Sequence, residues 1–154
     1  MDSRSHAKGP LRQRGIATVE FAIVAPLLLL LMLATAELGR AFYTYNTLTK
    51  AVRDGARYAS IAALNGAKVI DLDPIRTDTQ NVVVYGNPDP LPSEQPVLQG
   101  LSTDYVKVEK VDAPDAVHVH VSAEFLYEPM FAAGFSTFDP VRFTMSASVT
   151  MRAL

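Results

Sequence analysis

Sixteen consecutive residues, Phe21 to Ala36, carry no charge, and extending the run back to Ile16 adds one ionisable side chain, Glu20. About 20 residues of helix cross the hydrocarbon core of a bilayer, so residues 16–36 predict a single transmembrane helix. From Glu37 the pattern changes without a break signal. Leu38, Ala41, Phe42, Tyr45, Leu48, Val52, Ala56, Ala59 and Ala63 recur at spacings of three and four, which is one stripe of an amphipathic helix. Arg40, Thr47, Lys50, Asp54 and Arg57 fall largely on the other side. No proline interrupts residues 27–73, so one helix is predicted from about Ile16 to about Ala63, with residues 37–63 its amphipathic continuation and Asn65-Gly66 its stop.

Residues 71–104 contain Pro74, Pro88, Pro90, Pro92 and Pro96; here only Asn81–Tyr85 (NVVVY) reads as a strand, and Gly86–Pro96 reads as an exposed loop. After Asp104 the period becomes two. Tyr105–Val111, Ala116–Tyr127 and Val141–Met151 each alternate, predicting three antiparallel strands with one buried face apiece. Pro114-Asp115 marks the first turn, and Glu128–Pro140 forms a longer link holding Phe131, Phe135 and Phe138 as core or loop anchors. A small sheet with a bare apolar face is unstable, and the amphipathic half of the long helix is the available cover. The predicted fold class is α+β, with residues 64–154 as the sheet domain.

Charge sharpens this picture. Residues 1–15 carry Arg4, Lys8, Arg12 and Arg14 against Asp2, a net +3, and with Gly9, Pro10 and Gly15 they read as a flexible basic leader. Residues 64–154 carry six basic and twelve acidic side chains, a net −6. A basic head, an apolar run and an acidic body describe a membrane-directed chain with its basic end inside. The overall charge of −2 argues against a nucleic-acid partner. With no cysteine there is no disulfide, thiol nucleophile or thiolate metal site. There is no G-x-S-x-G elbow, P-loop, G-x-G-x-x-G or H-E-x-x-H, so no enzyme activity and no cofactor is expected.

Four weaker patterns remain. His118 and His120 share one face of a strand and would suit a metal, with Glu124 as the nearest further ligand; but Val117, Val119 and Val121 take the other face, which makes the histidines the solvent side. Asp71, Asp73 and Asp78 lack the glycine and terminal glutamate of a calcium loop and read as a turn with helix-capping aspartates. Arg53, Asp54 and Arg57 are either a subunit contact or a solvated face. Ala34-Thr35-Ala36 is an A-x-A triplet that would suit signal peptidase, releasing a soluble binding module from Glu37.

The segment Gly15-Ile16-Ala17-Thr18-Val19-Glu20-Phe21, directly after a basic leader and before the apolar run, resembles the class III signal of type IV prepilins. Its continuation through RGIATVEFAIVAPLLLLLMLATAELGR, then KAVRDGARYAS at Lys50–Ser60 and SASVTMR at Ser146–Arg152, resembles the TadE-like family of the tight-adherence (Tad) pilus system. The resemblance implies a pilin-like architecture and a pseudopilin or minor pilin that supports pilus biogenesis and adherence. It implies cleavage between Gly15 and Ile16 by prepilin peptidase, with Glu20 and Phe21 serving assembly. It further implies a bacterial inner-membrane location, with the N-terminus cytoplasmic and the C-terminal domain periplasmic. The partners so implied are the peptidase, the inner-membrane assembly platform, other pilins or pseudopilins and the lipid bilayer.

Physical reasons stand beside the likeness. Glycine disfavours helix, so Gly15 is expected to fray the chain where the apolar helix begins, as a protease requires. An ionised carboxylate inside a bilayer costs about 2.5–3.5 kcal/mol on insertion scales, so Glu20 needs a partner. The new α-amine of Ile16 on a neighbouring subunit would supply one.

Overall fold

The computed structural model describes residues 13–63, 72–112, 114, 117–130 and 142–153. Helix α1 runs Gln13–Ala62, matching the predicted helix to within a few residues, with Pro26 inside it. A second helix, α2, spans Asp73–Tyr85. After a 3-10 turn at Thr103–Tyr105 come β1 (Val106–Asp112), β2 (Val117–Tyr127) and β3 (Phe143–Arg152). Among the described residues these strands form one antiparallel sheet in the order β1-β2-β3. The α+β class and the three alternating segments are therefore as expected. The Asn65-Gly66 stop, Asp71 and the phenylalanines at 131, 135 and 138 lie outside the described residues.

The chain divides into two compact units, Met1–Leu38 and Gly39–Leu154. In the first, every described side chain from Gly15 to Ala36 is exposed except Ala25 and Leu33, which are half-buried. Burying none of so apolar a stretch within the chain itself is what a helix made for lipid or for other helices does. This helix is long and apolar enough to cross a membrane.

In the second unit α1 lies on the sheet. Val119, Val121, Ala123 and Tyr127 alternate inward along β2; Val106 and Val108 of β1 and Met145 and Ala147 of β3 join them. Registers such as Val108↔Val121 and Ala123↔Ala147 line these side chains up across the strands. The helix meets them with Leu48, Ala51, Val52, Ala56, Ala59 and Ala63. Here the expected stripe needs correction: Leu38, Phe42 and Tyr45 are exposed, whereas Thr44 and Gly55 are buried. Large side chains at 42 and 45 would hold the sheet away, whereas alanine and glycine let it approach. The buried hydroxyls cost little, because Thr44, Ser60 and Thr79 each donate to a carbonyl of their own helix at 2.8–3.0 Å.

The expected strand at Asn81–Tyr85 is instead the last part of α2. Pro74 stands in its first turn, where the missing N–H costs nothing, and Ile75, Thr79, Val82 and Val83 make a helical stripe facing the core. Gly86 ends it in the left-handed region at φ 77°, its N–H donating to the Val82 carbonyl at 2.9 Å. Asp73 sits in the first turn of α2, after the N-cap Leu72, and pairs with Arg76 at 3.4 Å. The following loop is irregular, as expected, yet fastened: the Val97 N–H donates to the Val84 carbonyl at 2.8 Å, and the Glu94 carboxylate accepts from the Leu91 N–H and the Asn87 amide.

A hydrogen bond joins α1 to α2, from the Tyr58 hydroxyl to Asp78 Oδ2 at 3.3 Å. Burial, reinforced by the Asp78 carboxylate, pushes the Tyr58 phenol above its ordinary value of 10.0. A raised folded-state pKa means that this contribution to stability is complete below pH about 10 and is lost as the pH climbs through the raised value. Tyr58→Phe is expected to remove this alkaline component, read as a smaller fall in melting temperature above pH 10 and as the loss of a late phenolate absorbance step.

Candidate functional site

Two regions gather candidate side chains, one in each unit. The first is the start of α1. Gly15, Ile16, Val19, Glu20 and Ile23 share one face of the helix and line a shallow, open surface. Ile16 and Phe21 are each 70% exposed, and Glu20 is exposed beside them. Ile16 and Glu20 stand four residues apart, one helical turn. Gly15 does not fray the chain: α1 already begins at Gln13, and a Cβ at Gly15 would meet nothing within 4 Å. One glycine costs a helix only about 1 kcal/mol, too little to break one that continues into Leu-rich sequence.

The second region was not apparent in the sequence. Arg40 of α1 donates to the Glu128 carbonyl at the end of β2 and lays its guanidinium over the Tyr127 ring, 4.6 Å from the centroid. Tyr127 packs in turn on Phe143 of β3, with centroids 5.1 Å apart. Arg142 Nε bonds Glu128 Oε1 at 3.2 Å. A helix, the close of one strand and the opening of the next thus meet around one buried tyrosine. The only sequence signal was a lone arginine four residues past the apolar run; its partners lie 87 and 88 residues away, beyond any local pattern.

The other candidates stay apart. His118 and His120 lie on the sheet face turned from α1, where His120 Nδ1 sits 2.8 Å from Thr150 Oγ1, and Glu124 is exposed along the same strand. Arg53, Asp54 and Arg57 are all exposed on α1. Among the described residues no group of three or more His, Cys, Asp or Glu could hold a metal ion.

These features define a class of protein: a chain with one membrane-length apolar helix whose second half packs on a small antiparallel sheet. Residues 15–57 match the family model of the TadE-like proteins, so this segment of the chain is similar to that family. The match opens at Gly15 and closes at Arg57, joining the exposed helix start to the sheet-packed face. No curated protein matches the chain, and no solved structure does either.

Proposed function

We propose that the chain is a prepilin-like structural subunit, a pseudopilin or minor pilin of a Tad-type pilus. Prepilin peptidase cuts it between Gly15 and Ile16. Its helix is stored in the bacterial inner membrane, N-terminus cytoplasmic, with the sheet domain in the periplasm. The observation that carries this reading is the family match beginning at Gly15, on a helix whose apolar surface has no fully buried side chain from Ile16 to Ala36.

The mechanism is assembly rather than chemistry on a substrate. Exposed apolar surface sheltered by lipid can be transferred to a bundle of sister helices at little net hydrophobic cost, so packing and polar pairing decide the outcome. Cleavage creates a cation at Ile16, and Glu20 of a neighbour neutralises it. The assembly platform and other pilins are the partners that this step requires.

Two measurements test the reading. The mature protein from a native-type host is expected to begin at Ile16. A start at Glu37 would instead support the exported soluble module, and an uncut terminus in the presence of active peptidase would sink the proposal. Glu20→Ala is expected to be processed normally yet recovered in the pilus-associated fraction at a several-fold lower level, because an unmatched Ile16 amine is left in the apolar layer. Unchanged recovery would refute the pairing.

A further inference from the structure

Arg40 fastens the closing end of β2 to a point four residues beyond the uncharged run that ends at Ala36. Four residues of chain reach at most about 14 Å in any conformation, so that end of the sheet is tethered close to wherever residue 36 leaves the hydrocarbon. This end is not dressed for water. Leu126 is 51% exposed, Met130 61% and Phe143 44%. Arg40, Tyr43, Leu126, Tyr127 and Glu128 line one groove there, and Arg142 stands beside it on Glu128. Apolar side chains mixed with tyrosine and arginine are the composition that settles at a membrane–water boundary. At the other end of β2, roughly 30 Å away along the strand, Val111, 43% exposed, is the one large apolar side chain in a cross-strand row with His118 and Arg152.

We propose that the β2–β3 end of the sheet rests on the phospholipid surface that α1 crosses. Leu126, Met130 and Phe143 enter the boundary between headgroups and acyl chains, and Arg40 and Arg142 lie at the level of the phosphates. The tether favours lipid over a second copy as the occupant, because the bilayer is within reach of this surface in every molecule. The inference rests on the membrane-anchored reading of α1, and deepens it by seating the folded domain as well as the helix.

The chain contains no tryptophan, so single reporters can be read without background in the full-length protein. Leu126→Trp, Met130→Trp, Val111→Trp and Leu30→Trp are each placed in phospholipid nanodiscs, with lipids brominated either near the headgroup or at the chain ends. Leu30→Trp is expected to emit at short wavelength and to be quenched by deep bromine, which checks the anchor itself. Leu126→Trp and Met130→Trp are expected to shift to shorter wavelength and lose intensity to shallow bromine, while Val111→Trp stays water-like and unquenched. If Leu30→Trp behaves so but Leu126→Trp and Met130→Trp match Val111→Trp, the seat is refuted and the anchor stands. A blue shift at 126 and 130 without quenching by either lipid assigns the surface to protein contact and also overturns the proposal. Failure at Leu30→Trp overturns the anchor, and the seat with it.

Discussion

Gly55→Ala is expected to destabilise the folded domain, and Gly39→Ala to stabilise it, although both replace a glycine within the same helix. A Cβ at Gly55 would overlap the Val83 Cγ2 methyl and lie 3.5 Å from the Thr79 carbonyl oxygen. Val83 is fully buried and β-branched, so its methyl cannot swing away. Overpacking of this kind costs about 1–3 kcal/mol, against about 1 kcal/mol gained in helix propensity, leaving a net loss of about 1 kcal/mol. At Gly39 a Cβ meets nothing within 4 Å, so only the propensity gain of about 0.5–1 kcal/mol remains. Gly55→Val, with two further carbons aimed at α2, is expected to lose several kcal/mol, a large share of the roughly 5–15 kcal/mol that holds a domain together. Thermal melts of the full-length chain in detergent check all three. A stabilised Gly55→Ala would mean that the α1–α2 contact is looser than it stands here.

Tyr127→Ala is expected to be the most damaging single truncation in the sheet. Among the described residues Tyr127 is the largest fully buried side chain, and it touches both Phe143 and Arg40. Removing a buried aromatic costs about 3–5 kcal/mol through lost burial and the cavity left behind. The Arg40 contact adds a part that can be isolated, since a guanidinium over a ring contributes about 0.5–2 kcal/mol according to its solvation. Arg40→Ala alone is expected to lose this contact and the bond to the Glu128 carbonyl. In the double variant the losses should fall short of additive by about that amount. Strict additivity would show that the two side chains are neighbours without being coupled.

The sequence showed some of this fold plainly and hid the rest for definable reasons. The strands were legible because each has one wet and one dry face, so hydrophobicity alternates over seven or more residues. The long helix was legible as an uninterrupted run. Its buried face was misassigned, because Phe42 and Tyr45 outweigh alanine and glycine on any hydrophobicity scale, while close packing selects for the small residues. Helix α2 was hidden by three consecutive valines, which favour strands in isolation but are tolerated in a helix when tertiary burial rewards them. Pro74 and Gly86 mark its two ends. Gly15, Ile16, Glu20 and Phe21 were legible as a motif, and on the proposed function their partners lie on other molecules. The Arg40–Tyr127 cluster depends on contacts across more than half the chain, which no local spacing encodes.

The second half of α1 meets its surroundings through Ala51, Gly55, Ala56 and Ala59, with Leu48 and Val52 set among them. Sliding the helix by one turn, about 5.4 Å, would push leucine or valine into hollows shaped for hydrogen or methyl. Such a joint has no neighbouring notch to slip into. A pull on the helix is handed to the strands undiminished, up to the force at which the domain itself comes apart.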